Sequence, residues 1–259
     1  MKAMIQSDDG QPQLSLVFPV FDEAANVDRV IESACKIGDQ LVETFEVVIV
    51  DDGSRDGSAR LIDRWSARDP RIRTVRHATN LGYGAALRSG LTAARGDLIF
   101  FSDADLQFEL SELAKLLAHS GSFDIVAGYR SPRRDPWPRS LIARTWALII
   151  RVIFGLEIRD IDCAFKLFHR RVIEEMPLAS VGAFINTEIL LRARSAGFRI
   201  HQVPVTHRPR RFGRQTPCHG PTAVRLPSAP IPLQGRHRVR IPGERSPAPH
   251  HLAVPGRGA

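Results

Sequence analysis

"RGDLIFFSDADLQFE", residues 95–109, is the stretch on which the fold turns. Leu98, Ile99, Phe100 and Phe101 form a short continuous apolar run, the pattern of a strand buried on both faces. Asp103 and Asp105 follow at once. Two carboxylates at the end of a core strand repel each other and lose hydration, so such a pair is placed to hold something positive. Hard oxygen donors suit Mg2+ or Mn2+, and Mg2+ commonly takes one or two carboxylates together with substrate phosphates. The Gln107 carbonyl offers a third oxygen. A lone pair of this kind serves as readily in a turn or a helix cap, and the rest of the chain decides between the two.

Working outward, apolar runs alternate with helical patterns. "LSLVFPV" (14–20) reads as a strand, followed by a helix from near Glu23. "FEVVIVDDGS" (45–54) is a strand ending in a turn, with a helix from about Gly57 to Arg68. "RIRTVRH" leads to "GYGAALRSGLTAARG", and the opening stretch is followed by the helix "LSELAKLLAH" and the strand "FDIVAGYR". Strict alternation at these lengths predicts an α/β domain with a mostly parallel, Rossmann-like sheet flanked by helices. Open sheets of this kind bind ligands at the carboxyl ends of their strands. Asp22 with Glu23, Asp51 with Asp52, and Asp103 with Asp105 all fall at such ends, so six carboxylates gather on one rim and favour the cation reading.

The other rim segments carry their own alternatives. Pro19 cannot donate to a ladder, so it is expected to end its strand and expose the backbone beyond it. Asp22 and Glu23 suit a helix cap as well as a nucleotide contact. In "VVIVDDGSRDGS" a turn needs Gly53 and one acid, whereas two adjacent acids favour hydrogen bonds from a base N–H or ribose hydroxyls. In "RHATNLGYGAALRSG" (76–90) Gly82 and Gly84 start a helix, but Leu87 stands where a dinucleotide fingerprint has its last glycine. A Rossmann oxidoreductase is a poor reading.

Composition sets outer bounds. At 259 residues and 43% hydrophobic content, disorder throughout is excluded. Cys35, Cys163 and Cys218 lack CxxC spacing and predict neither a disulfide framework nor a structural zinc. Of the net charge of +8, the stretch from Pro217 onward supplies six Arg against Glu244, leaving a mildly basic body and no expectation of a nucleic-acid partner. The N-terminus lacks an apolar signal core, which predicts a cytoplasmic start. "WALIIRVIFGL" (146–156) is interrupted by Arg151 and falls short of the ~20 residues of a spanning helix, so none is expected. From Pro217 to the end no periodicity survives and nine prolines accumulate, which predicts disorder.

Taken in order, "FPVFDEAANV", "VVIVDDGSRDGS", "RHATNLGYGAALRSG", "DADLQ", "AGYR" and "DCAFKLF" resemble glycosyltransferase family two. The resemblance is to the polyprenyl-phosphate hexosyl transferases of the dolichol-phosphate mannose synthase type, over roughly residues 13–216. It implies a glycosyltransferase A fold, with residues 1–12 a disordered N-terminus, 13–216 the catalytic domain and 217–259 a Pro- and Arg-rich tail. Relatives of this kind usually continue with helical or membrane-spanning sequence, so a frameshift near Thr216 is one reading of the tail. By resemblance, Pro19, Asp22, Glu23 and Asp52 contact the nucleoside, and Asp103, Asp105 and Gln107 hold Mg2+ or Mn2+ on the diphosphate. Arg130 lies near the reacting phosphates, and Asp162 and Lys166 line the cleft, although Lys166 reads equally as a solvated strand end. Glu188 orients the acceptor side or pairs with Arg192 at i,i+4. Arg208, Arg211 and Arg214 either close over phosphate or form a solvated basic segment.

The implied reaction moves a hexose from a nucleotide sugar of the GDP-mannose or UDP-glucose type to a polyprenyl phosphate. An acceptor phosphate is already ionised, so no general base is needed, and direct displacement inverts the anomeric carbon. The helix expected over 139–155 is apolar, with Arg144 and Arg151 on nearly one face, and fits a peripheral position on the inner face of the membrane or a buried helix. The competing readings are a transferase acting on a soluble saccharide and a non-catalytic sugar-nucleotide-binding protein.

Overall fold

The computed structural model describes residues 10–131, 157–210 and 212–213. The expected helix at 139–155, Arg211, Arg214, Cys218 and the tail from Pro217 lie outside the described residues.

Strand β1 (Leu14–Val20) leads to helix α1 (Ala24–Leu41), and β2 (Phe45–Asp51) to α2 (Ser58–Ser66). Strand β3 (Ile72–Arg76) precedes α3 (Tyr83–Ala93), and β4 (Leu98–Ser102) a 3-10 turn at Leu110–Glu112 and α4 (Leu113–Ser120). Then follow β5 (Ile125–Arg130), β6 (Phe165–His169), α5 (Arg170–Glu174), α6 (Ile185–Ser195) and β7 (Ile200–Val205). The seven strands form one sheet in the order β3-β2-β1-β4-β6-β5-β7.

The apolar strands bury both faces, as the sequence predicts for a sheet covered on each side. Because side chains alternate, Leu16, Phe18, Val47, Ile49 and Phe100 pack with Val27, Val30 and Ile31 of α1 and Leu113 and Leu116 of α4. Val17, Val48, Val50, Ile99 and Phe101 pack on the opposite face with Leu87 and Leu91 of α3 and Ile185 and Ile189 of α6. The helices hold the sheet from both sides and leave its rim for chemistry.

Three details refine the sequence reading. First, β6 runs antiparallel between β4 and β5, with Ser102 opposite Phe165 and Phe101 opposite Lys166. A reversed strand delivers its N-terminal flank, residues 160–164, to the rim where its neighbours end. Second, Pro19 does not end β1; it pairs in register with Val50, and Val20 follows with Asp51. Pairing with β4 stops at Val17, so the proline lies where the second ladder no longer asks for its N–H. Third, Pro12 is joined to the domain, its carbonyl accepting from Asp97 N at 3.2 Å.

Candidate active site

The carboxyl ends of β1, β2, β4, β5 and β7 open onto one rim, and the loops there are laced together. After β1, Asp22 takes a left-handed backbone with φ 54, unusual for a residue with a side chain. It is held there from both sides: its N–H donates to Ser54 Oγ at 3.1 Å, and its Oδ1 accepts from Arg55 N at 2.7 Å. Glu23 N donates to Ser58 Oγ at 3.0 Å and Ala24 N to Asp56 Oδ2 at 2.8 Å, so side chains of the 54–58 loop satisfy donors at the start of α1.

Asp51 and Asp52 are both buried but turn to different tasks. Asp51 Oδ1 accepts from Ser54 N at 3.0 Å and Oδ2 pairs with Arg76 at 3.2 Å. Asp52 Oδ1 accepts from Leu81 N at 2.9 Å and lies 2.7 Å from His77 Nδ1, while Oδ2 accepts from Gly82 N at 3.0 Å. Asp52 therefore holds the 77–82 loop in this structure. Gly82 has φ 99, and a Cβ there would lie 2.6 Å from the Val181 carbonyl. That carbonyl caps α3, accepting from Gly84 N at 2.8 Å and Ala85 N at 3.3 Å. These N–H groups have protein partners, which explains the two glycines without a phosphate cradle.

The pair after β4 is different. Asp103 and Asp105 are half-buried, and burial together with the charge of Asp105 pushes the Asp103 carboxyl up to about 7. Asp105 is raised too, mainly by burial, against a bond from Gln107 N at 3.1 Å and the charges of Arg210 and His207. Leu106, directly after Asp105, has φ 59, so the loop is held in a costly conformation beside the acids. Glu23 is raised as well, by burial first and with Asp105 contributing repulsion, despite its bond from Arg210. Burial is the largest cause in all three cases.

Among the described residues no three His, Cys, Asp or Glu side chains form a closed metal cage. Asp103 and Asp105 instead make an open pair of hard oxygen donors, which fits Mg2+ or Mn2+ completed by phosphate oxygens. Gln107 faces the segment after β7: its Nε2 donates to the Arg208 carbonyl at 3.0 Å, and its own carbonyl accepts from Arg208 N at 2.7 Å. The Gln107 backbone carbonyl and side-chain amide N–H thus tie the loop after β4 to the segment after β7.

Arg130, the last residue of β5, is gripped by Asp160. Its Nε and Nη2 donate to the two Asp160 oxygens at 2.6 and 2.8 Å, and its N–H adds a third bond at 3.2 Å. Asp162 is exposed in the same loop. Lys166 is fully buried, so it is no solvated strand end. Its Nζ donates to the Ile161 carbonyl at 3.1 Å, to Asn186 Oδ1 at 3.1 Å and to the Cys163 carbonyl, fixing the 160–163 loop from beneath. Glu188 is also fully buried, accepting from Ala179 N, Ser180 N and Arg192 Nε, the last at 2.8 Å. The i,i+4 partner is the one expected, and the backbone bonds make Glu188 the anchor of the loop that carries Val181.

Asp160, His77, His207 and Arg210 are rim residues that the sequence reading did not single out. Their partners lie 25 to 187 residues away, and no local spacing advertises them.

The chain matches the family described as Glycosyl transferase family 2 over residues 15–176. It belongs to that family. Among curated relatives, it is 31% identical over 208 residues to glycosyltransferase AglD of Haloferax volcanii, covering 76% of this chain and 33% of that protein. It is 30% identical over 202 residues to the undecaprenyl-phosphate 4-deoxy-4-formamido-L-arabinose transferase of Aeromonas hydrophila, covering 77% of this chain and 61% of the relative. The family 2 chain thus spans only part of the length of the relatives it matches. Among solved structures, glucosyl-3-phosphoglycerate synthase of Mycobacterium tuberculosis in complex with phosphoglyceric acid superposes with a TM-score of 0.63 at 21% identity, covering 79% of this chain and 74% of the other. The same synthase has also been solved with Mn2+, UDP and glucosyl-3-phosphoglycerate (TM-score 0.62, 21% identity, the same coverage). The expected glycosyltransferase A-like fold is thereby established.

Proposed function

We propose that this family 2 chain transfers a sugar from a nucleoside diphosphate sugar to a polyprenyl phosphate, with a divalent cation and with inversion at the anomeric carbon. The observation that carries the reading is the half-buried, mutually repelling pair Asp103 and Asp105 at the end of β4, with Glu23 on the same rim. Asp103 and Asp105 would hold Mg2+ or Mn2+, which would supply positive charge to a departing diphosphate.

The chain's own residues supply order. Asp22, Asp52 and Glu188 fix the three loops around the donor, and Pro19 and Glu23 face the nucleoside side of the rim. Lys166 holds the 160–163 loop and Asp160 fixes the Arg130 guanidinium through its Nε and Nη2, which sets that charge on the acceptor side of the rim. Positioning two anions against their mutual repulsion is the main task, and it needs no general base because the acceptor oxygen is already ionised.

The relative from Aeromonas hydrophila, named for an undecaprenyl-phosphate acceptor and a substituted arabinose, supports a lipid-phosphate acceptor and leaves the sugar open between that class and a hexose. Such an acceptor places the reaction at a membrane surface; among the described residues no helix is long and apolar enough to cross one. Incubating the chain with undecaprenyl or dolichyl phosphate in detergent, labelled GDP-mannose or UDP-glucose, and Mn2+ or chelator tests the proposal. Label in the organic-solvent extract, lost with chelator and with Asp105→Asn, is the expected result. Label appearing only in soluble saccharide favours the alternative acceptor class, and nucleotide binding without turnover of any donor favours a non-catalytic sugar-nucleotide-binding protein.

A further inference from the structure

Arg130 does not present its full charge to an incoming phosphate, because that charge is already answered. Its guanidinium and the Asp160 carboxylate form a closed pair, with side chains 8% and 6% exposed. Other cations of the rim are engaged in the same way: Arg76 with Asp51 and Asp63, Arg208 with Glu109, and Arg210 with Glu23. Arg159, one residue before Asp160, is built differently. It is exposed, and among the described residues it pairs with no carboxylate. Its place is nevertheless fixed. Gln202 of β7 clasps the backbone on both sides of Ile158, accepting from Arg159 N at 2.8 Å and donating to the Glu157 carbonyl at 2.9 Å. The Arg159 guanidinium lies 4.9 Å over the Tyr129 ring, and its Nη1 donates to the Tyr129 hydroxyl at 2.9 Å. Tyr129 directly precedes Arg130 at the end of β5, so two guanidinium groups flank the end of one strand. One faces a carboxylate and the other a neutral phenol, which holds it in place without neutralising it.

We propose that Arg159 is a docking residue for the acceptor: its uncompensated guanidinium binds the phosphate of a polyprenyl monophosphate beside the Arg130–Asp160 pair. The inference rests on reading the chain as a polyprenyl-phosphate transferase. A phosphate monoester carries a charge of about −1.5 to −2 at pH 7, and the donor's diphosphate repels it. Its approach therefore needs a positive group that no carboxylate has already claimed. Among the described residues, Nε and Nη2 of Arg159 have no protein acceptor, and a planar fork of N–H groups matches two phosphate oxygens. The clasp by Gln202 and Tyr129 orders the side chain beforehand, so less freedom is lost when the phosphate arrives.

Label transfer by the full chain, with undecaprenyl phosphate and the nucleoside diphosphate sugar varied in turn, separates docking from a merely structural clasp. Arg159→Gln is expected to raise the KM for undecaprenyl phosphate about threefold to thirtyfold, the range of a charged hydrogen bond discounted for exposure. The donor KM and kcat should stay within about twofold, because only acceptor binding is removed. A rise in both KM values, or a fall in kcat with the acceptor KM unchanged, overturns the proposal. Arg159→Lys keeps the charge without the planar fork, so its acceptor KM should fall between those of the wild type and Arg159→Gln. A value equal to that of Arg159→Gln defeats the role of charge, and the same KM split in Arg159→Lys carries the test if Arg159→Gln does not fold. Arg199→Gln removes an equal charge from an exposed residue just before β7, at the opposite end of the sheet, and should leave the acceptor KM unchanged; a matching rise there reveals a general charge effect and sinks the specific one. Co-sedimentation with phosphatidylglycerol vesicles distinguishes the acceptor from the membrane's own headgroups. Vesicle binding weakened by Arg159→Gln as much as the acceptor KM assigns the residue to the membrane surface instead. Should the wild type label no polyprenyl phosphate with any donor, the acceptor reading itself falls, whereas transfer indifferent to Arg159 defeats only the docking role.

Discussion

Asp52 Oδ2 accepts a hydrogen bond from the backbone N–H of Gly82 at 3.0 Å, tying the end of β2 to the loop that starts α3. The carboxylate also serves Leu81 N and His77, so three groups converge on one buried side chain. Asp52→Asn keeps the shape but replaces one acceptor oxygen by an NH2 that faces donors. A loss of about 2 kcal/mol is expected, because a buried donor is left without an acceptor; denaturant unfolding measures it. A nucleoside contact alone would leave stability unchanged and weaken nucleotide binding only.

Gly82→Ala should be costly for two independent reasons. The backbone is at φ 99 and the added Cβ would stand 2.6 Å from the Val181 carbonyl. A loss of about 2–3 kcal/mol follows from strain and displacement of that carbonyl. Gly57→Ala also has a positive φ, 97, but lies in the αL region at ψ 0 rather than at ψ 157, and has open space for the Cβ, so it should cost less. The difference in their unfolding midpoints reports the combined cost of the steric contact and of the backbone region that only glycine adopts freely.

Lys166→Met tests whether the lysine positions or binds. Its ammonium holds two carbonyls and Asn186 beneath the 160–163 loop. Removing it strands these acceptors, and a loss of about 2–4 kcal/mol is expected. A lysine whose task is substrate phosphate would give the reverse pattern in unfolding and nucleotide titration: full stability and weakened binding.

Asp105→Asn should abolish Mn2+ binding and yet raise the metal-free Tm by a few degrees, about what relieving one unfavourable buried charge gives. The sign comes from the raised carboxyls of Asp103 and Asp105, which mark ionisation as unfavourable in the folded chain. Calorimetry in chelator checks it, and a drop in Tm would show the acid to be structural.

Asp124 supplies a pH prediction of opposite sign. Burial tends to raise it, but bonds from Arg199 N at 2.7 Å and from Arg171 prevail and hold it below its ordinary 3.8. A depressed carboxyl contributes stability above its unfolded value and loses it as pH falls through the lower folded one. The acid limb of the stability curve should therefore steepen below 3.8 and be flattened in Asp124→Asn, as measured by urea midpoints from pH 6 to 2.

The order of strands and helices from β1 to β5, the apolar runs that fill both faces of the sheet, and the acids at strand ends were legible in the sequence. Periodicity and turn chemistry are local, and the rule that parallel strands end on a common rim carries them into space. Asp103 and Asp105 could be marked because two charges after a four-residue apolar run contradict burial unless something compensates them. The reversal of β6 was not legible, because an apolar run says nothing about direction.

What the sequence determined by itself is a layered α/β domain with its acids collected at one edge, since hydrophobic burial and the two-residue period of a strand leave few other arrangements. What only the tertiary structure decided is which of those acids already have partners. Asp52 is taken by the loop before α3, Glu188 by two backbone N–H groups and Arg192, and Asp160 by Arg130, whereas Asp103 and Asp105, with the Gln107 N–H bonded to Asp105, still repel each other. Ionic pairing depends on distances of a few ångströms between residues that can be nearly two hundred positions apart, and only the folded chain sets those distances.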